Sequence, residues 1–294
     1  MHLLLALGAA ITFAFGSMVT KRAFREGAGV VHALVVNNAL LGLVFLPLLA
    51  VESKPVPWSD WHLPALTSLA FVIGHIFNVV SLRVGDVSLA TPLLGAKVLF
   101  VALIGWAVFG IQLGTMQWVA AALATAGVAA MGLTESRSGG RAGLTTTTAL
   151  GSAASFALTD TMIQSWGAGF GVWSFLSLQF VGLALLSLAT LPWFGMASLR
   201  ASRRAWGWIL LATACSGIQA IIITSTIAIW KDAAGVNVVY ATRGIWSIAL
   251  VWFLGHRLGN TERATVGASG MGLRLLGATL LLAAVVFTVL EKRP

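Results

Sequence analysis

Only four ionisable side chains besides histidine lie well inside apolar runs: Lys97, Asp160, Arg243 and Arg274. A cation at the centre of a lipid-embedded helix costs ~2.5–3.5 kcal/mol on insertion scales. Two such bases, Lys97 and Arg243, need a partner, water or a ligand. Both stand about mid-depth in their segments, beyond easy reach of the interface. They are read as a pair facing one cavity and gripping an anionic group, with the guanidinium able to do so bidentately. Asp160, the one acid in such a run, is either their counter-ion or a proton-coupling carboxylate, and Gln164 stands one turn on. Arg274, near the end of its segment, is read as snorkelling.

Uncharged polar residues at helical spacing extend this set. His75 and Asn78 share a face at i, i+3, as do Tyr240, Arg243 and Ser247. Asn37 and Asn38 stand in an earlier segment, Gln179 and Gln219 in later ones. The substrate-binding set is Lys97, Arg243, Tyr240, His75, Asn78 and Asn37. For each of these an interhelical hydrogen bond, worth about 0.6 kcal/mol, is the plainer alternative. Trp246 beside them is either a stacking wall or core packing.

Enzyme chemistry has no support. There is no His-Glu-x-x-His, Gly-x-Ser-x-Gly or glycine-rich phosphate loop. The five histidines (His2, His32, His62, His75, His256) lack ligand spacing, and the single Cys215 excludes a cysteine cluster or an intrachain disulfide. We expect no catalytic residue, no metal and no cofactor. Any uphill work would draw on an ion gradient or on exchange.

The elements that carry these residues follow from composition. Of 294 residues, 58% are hydrophobic and 9% charged, against about 25% charged in a soluble domain. The net charge of +9 forms no basic face that would bind nucleic acid. A spanning helix needs about 20 mostly apolar residues. Ten segments qualify: Leu3–Thr20, Val30–Ala50, His62–Leu82, Ser88–Gly110, Thr115–Leu133, Leu144–Trp166, Gly171–Trp193, Trp206–Trp230, Val236–Gly255 and Met271–Leu290. Most of the 12 tryptophans, Trp58, Trp61, Trp166, Trp173, Trp193, Trp206, Trp208 and Trp230 among them, lie near segment ends as an interfacial belt. The first segment, lacking a basic leader and recurring later, is read as a retained helix.

The chain repeats itself. Leu7–Phe15 sits over Leu150–Leu158 at an offset of 143. Asp86 and Lys97 are spaced like Asp232 and Arg243, and the two bases are offset by 146. Ala120–Leu123 sits over Gly277–Leu280 at 157, the drift being absorbed around Gly259–Ser269. By the first offset Asp160 stands where the first half has Ser17. Five segments is an odd number, so the second copy enters from the opposite face and the repeat is inverted. Inverted repeats put a site near the midplane between the halves. The expected fold is an all-α polytopic membrane protein of ten transmembrane helices in two inverted five-helix repeats, 1–133 and 144–294, joined by 134–143. The fifth and tenth helices, without a mid-depth acid or base, should lie away from the central path.

Ten segments as 5+5, a small-residue first helix repeated at the sixth, and the run Gly85–Lys97 resemble the drug/metabolite transporter superfamily in its EamA-type branch. The resemblance implies a secondary transporter of small molecules in the cell membrane. Members that carry phosphorylated metabolites use basic residues on their fourth and ninth helices, which by analogy are Lys97 and Arg243. Many members end those helices in Gly-Glu. Here the places read Gly110-Ile111 and Gly255-His256, so no role of that glutamate carries over.

The expected function is export or exchange of a small polar metabolite bearing an anionic group. The alternatives are efflux of amphipathic or cationic compounds with the bases only structural, and a non-transporting scaffold. Partners are the lipid bilayer and a small-molecule substrate, with no nucleic acid and with room for a homodimer. Loops after odd segments carry Lys21, Arg22, Arg25, Arg83, Arg137, Arg141, Arg200, Arg203, Arg204, Arg257 and Arg263; the opposite face carries Lys54, Lys231, Lys292 and Arg293. The positive-inside rule puts both termini outside, whereas the resemblance implies both inside.

Overall fold

The computed structural model of the chain describes residues 2–52, 54–85, 90, 91, 93–133, 142–194, 199–255 and 268–291. Asp86, His256, Arg257, Arg263 and most of the 134–143 connector lie outside them, as does the Arg274 side chain. All regular structure among the described residues is helical. The α-helices of eight residues or more are α1 (His2–Arg25), α2 (Asn37–Phe45), α3 (His62–Val84), α4 (Lys97–Phe109), α5 (Thr115–Leu133), α6 (Ala142–Phe170), α7 (Val172–Ala189), α8 (Arg203–Trp230), α9 (Ala233–Tyr240), α10 (Arg243–Leu254) and α11 (Ala268–Glu291), and a single turn, Leu191–Phe194, follows α7.

The described residues of the expected segments are mostly helical. Six stretches are long and apolar enough to cross a membrane: His2–Arg25, His32–Ala50, Trp58–Val84, Val172–Ala189, Arg203–Trp230 and Ala233–Leu254. Leu94–Phe109, Thr115–Ala130 and Leu276–Phe287 are shorter apolar helices. Large apolar side chains such as Leu43, Val108, Leu185 and Phe253 are exposed, an outer surface suited to hydrocarbon rather than water. Trp58 and Trp61 are exposed beside them at the start of the third segment.

Packing is close because the facing residues are small. Ala6, Ala10 and Ala14 recur every four residues on α1 and are wholly buried, where α1 packs on α8. Ala149, Ala153 and Ala157 do the same on α6, which packs on α3. Small residues in register let helix backbones approach without an apolar driving force from the solvent. Gly42 of α2 lies so close to α7 that a Cβ there would stand 2.9 Å from the Phe180 carbonyl oxygen. The turn from α6 to α7 uses Gly171 at φ 103°, a conformation that side chains disfavour. The Glu52 carboxylate accepts from the Trp173 N–H at the start of α7.

Four of the expected segments are not continuous α-helix, which their composition does not reveal; Thr190 breaks the seventh near its end, and the other three breaks lie deeper. A π turn over His32–Val36 precedes α2, a 3₁₀ turn over Leu94–Ala96 precedes α4, and Ala241-Thr242 interrupts α9 and α10. Pro92, two residues before Leu94, has no N–H to give a helix. The Thr242 hydroxyl donates to the Val239 carbonyl three residues back, a side-chain bond that competes with the helical ladder. The residues that open the next helices are Asn37, Lys97 and Arg243. Irregular backbone at membrane depth is tolerated where it is buried in protein or lines a cavity.

Candidate functional site

Residues of α1, α2, α3, α4, α6, α8, α9 and α10 line a cavity of about 70 Å³. Its wall includes Asn37 from α2, Phe71, His75 and Asn78 from α3, Lys97 opening α4, Phe156 and Asp160 from α6, Tyr240 ending α9, and Arg243 opening α10. The six residues of the expected substrate-binding set and Asp160 therefore line one space. No described residue of α5 or α11 lines it; those two helices pack on each other. A second cavity of about 50 Å³ shares Phe13, Asn37, His75, Asn78, Ser216 and Gln219 with the first and runs to Ala23, Phe24 and Ala28 past the last turns of α1.

The charges are unevenly partnered. Lys97 Nζ lies 2.6 Å from Asp160 Oδ2, and both residues are buried. Asn237 Nδ2 donates to the same oxygen at 2.6 Å and to the Ala233 carbonyl at 2.9 Å. A carboxylate so held by a cation and an amide is strongly oriented. Arg243 has no carboxylate partner among the described residues. One of its terminal nitrogens donates to the Leu94 carbonyl at 2.6 Å, satisfying a group freed by the break before α4. Its guanidinium lies over Tyr240 at 4.3 Å and Phe13 at 4.9 Å, within cation–π range. Its Nε is buried without a partner. Asp160 is thus the counter-ion of Lys97 and not of Arg243, because α4 and α6 are packed neighbours.

Across the cavity the polar groups are carboxamides, hydroxyls and an imidazole. His75 Nδ1 lies 2.5 Å from Asn38 Oδ1, while Asn38 Nδ2 donates to Ser187 Oγ at 2.7 Å. A carboxamide oxygen at Nδ1 assigns that nitrogen the proton, which leaves Nε2 of the neutral ring as an acceptor. Asn78 Oδ1 is buried without a partner. Asn37 Nδ2 reaches Asn38 Oδ1 at 3.3 Å. Tyr240 Oη donates to Gln219 Oε1 at 2.6 Å. A bound molecule would meet a cation over aromatic faces on one side and carboxamide, hydroxyl and imidazole groups on the other.

Other sequence candidates fall elsewhere. Asn38 is wholly buried behind His75, as the bridge to α7, and does not line the cavity. Gln179 is buried with its amide unpartnered, away from the cavity, and its backbone carbonyl takes the Ser68 hydroxyl. Ser247 turns back to the Gly244 carbonyl. Trp246 is partly buried against the main core, so it packs rather than stacks on a ligand. Gln164 does not join Asp160 in this wall. Its Oε1 accepts from Ala233 N at the start of α9, at 2.8 Å. The residues that sequence reasoning missed are Asn237, Phe13 and Ser216. Asn237 carried a usable signal, being an amide within a valine-rich run one turn before Tyr240. Phe13 carried none.

At the opposite end from the second cavity lies a third, of about 100 Å³, walled by Val101, Gly105, Gln112, Gln117, Thr161, Gln164, Lys231, Asp232 and Ala234 among others. Asp232 caps α9 through Gly235 N at 3.0 Å and pairs with His2 Nε2 at 3.0 Å. The His2 ring stacks on Trp230 at 5.7 Å.

Comparison with known proteins agrees with this architecture. No curated protein matches the chain. Among solved structures, 25 chains match. One of them, a crystal structure described only as that of a protein, is 16% identical, gives a TM-score of 0.69, and covers 100% of this chain and 99% of its own. At that identity the likeness is one of fold. The EamA-like transporter family matches residues 1–133. The resemblance read from the sequence therefore holds: residues 1–133 are an EamA-like transporter family domain, set in a multi-pass helical chain built for a membrane.

Proposed function

We propose that the chain is a secondary-active transporter, by export or exchange, of a small polar metabolite bearing an anionic group. Transport runs by alternating access at the central cavity, between inverted five-helix repeats spanning 1–133 and 144–294, in the cell membrane. The observation that carries this reading is the charge of the cavity wall. Two bases face it with one carboxylate among the described residues. That carboxylate belongs to Lys97, so Arg243 is left to an anionic ligand.

Packing supports the repeat. The buried alanines 6, 10 and 14 correspond to 149, 153 and 157 at the offset of 143. Exchanging the halves turns the α1–α8 contact into α6–α3 and the α4–α6 contact into α10–α1. Discontinuous helices at matched places, each opening on a base, are what midplane binding sites of inverted-repeat transporters use.

A second reading has its own observation. Arg243 already bonds the Leu94 carbonyl and faces two rings, and Phe13, Phe71, Phe156 and Tyr240 all wall the cavity. Efflux of an amphipathic compound, with the bases structural, would suit such a wall. A thermal-shift screen of the purified protein across metabolite classes separates the two, since a binder raises the melting point by mass action. Anionic metabolites should stabilise the protein and lose that effect in Arg243→Ala. Stabilisation by neutral or cationic amphiphiles alone, unchanged in Arg243→Ala, refutes the anion reading.

A further inference from the structure

Three helices pass the same sequence of surroundings. On α4 and the turn before it, Leu94 and Lys97 face the central cavity, and Val101 and Gly105 face the third. On α6, Phe156 and Asp160 face the central cavity, and Thr161 and Gln164 the third. On α9, Tyr240 faces the central cavity and Ala234 the third, with Asn237 between them. The change of cavity takes four residues on α4 (Lys97 to Val101), one on α6 (Asp160 to Thr161) and six on α9 (Tyr240 to Ala234), so at about 1.5 Å per residue it falls within about two turns on each helix. At that level Lys97 Nζ, Asp160 Oδ2 and Asn237 Nδ2 meet on a single oxygen.

We propose that the Lys97–Asp160–Asn237 cluster is the closed gate between the central cavity and the polar cavity at the far end, where α4 finishes and α9 begins. This rests on reading the central cavity as the transport site. The three residues come from three separate helices, so parting them separates α4, α6 and α9 at one level. The central cavity continues at its other end into the space that runs to the end of α1. The structure is thus the state that serves that end only. Asn237 is a positioning residue here. Its second bond, to the Ala233 carbonyl, fixes the amide that holds Asp160 toward Lys97. Asp232, Lys231 and His2 lie beyond the gate, toward the far end.

Sided thiol labelling tests this without knowledge of the substrate. Cys215 is the only cysteine, so Cys215→Ala gives a clean background. Ser216→Cys then reports on the central cavity and Gln112→Cys on the far one. A charged, membrane-impermeant thiosulfonate is added to either side of sealed proteoliposomes. Gln112→Cys should react from the far side, and Ser216→Cys only from the side where α1 ends. Asp160→Asn should raise far-side reaction of Ser216→Cys by about tenfold or more, the effect of moving the closed–open balance by one decade. The neutral pair Lys97→Met with Asp160→Asn, and Asn237→Ala, carry the same expectation should Asp160→Asn not fold. Unchanged one-sided labelling in the folded variants overturns the gate. So does reaction of Ser216→Cys from both sides, or from neither, before any gate substitution. Absent flux with sided labelling intact would instead fault the transport reading alone.

Discussion

Lys97 and Arg243 stand at matched places in the two halves, each opening a helix after a break, yet their surroundings differ. Lys97 touches a carboxylate at 2.6 Å. Arg243 touches a backbone carbonyl and two aromatic rings. The difference originates one helix away, where the second half has Asp160 and the first has Ser17, whose hydroxyl turns back to the Phe13 carbonyl. Of two bases at matched places in the sequence, one is thereby neutralised and the other has no carboxylate partner among the described residues. One difference between matched sequence positions is enough to give the two bases unequal partners.

The largest expected effect removes that inequality at its source. Asp160→Asn leaves Lys97 a buried cation without its counter-charge, and breaking a buried pair costs about 3–5 kcal/mol. Thermal unfolding in detergent should show it, while Ser17→Ala, at the matched place, should change stability by no more than about 0.6 kcal/mol, the usual worth of a polar contact within a membrane protein. Replacing both partners, as in Lys97→Met with Asp160→Leu, should restore most of the loss. Equal effects at 160 and 17 would break the comparison.

Next comes the free base. Arg243→Ala should lower uptake of an anionic substrate into proteoliposomes by about 10- to 100-fold, the factor that a hydrogen bond to a charged group supports. Arg243→Lys should recover only part of it, because an ammonium cannot hold both Leu94 and a ligand in the guanidinium's planar fork. Full transport by Arg243→Ala would mean that this base is structural.

Smaller effects sharpen the picture. Asn237→Ala should cost about 1–2 kcal/mol in thermal unfolding by removing one charge-assisted bond from Asp160, well short of Asp160→Asn. Tyr240→Phe keeps the ring over Arg243 and loses the hydroxyl's bond to Gln219, so it should cost about 1 kcal/mol. A larger loss in transport than in stability would place the Tyr240 hydroxyl against the substrate.

Much of the site was legible in the sequence because lipid leaves polar side chains so few explanations. Lys97, Asp160 and Arg243 announce themselves as charges inside apolar runs, and His75, Asn78 and Tyr240 follow by helical spacing. The breaks were not legible. Pro92 was visible, but nothing local distinguishes Ala241-Thr242 from ordinary helix. Gln164 and Gln179 looked equivalent to Gln219 on paper, and only packing sends one to cap α9, one into the core and one to Tyr240.

The amino-acid sequence by itself determined that this chain is helical and belongs in a bilayer, since 9% charged residues cannot clothe a soluble surface and apolar runs of about 20 residues fit the hydrocarbon. It also determined which few charges must be accounted for. Partnership was decided by the tertiary structure alone. Whether Asp160 neutralises Lys97 or Arg243 depends on α4 packing against α6, a contact between segments more than sixty residues apart. Coulomb attraction acts on distance in space, and the order of residues along the chain does not encode that distance.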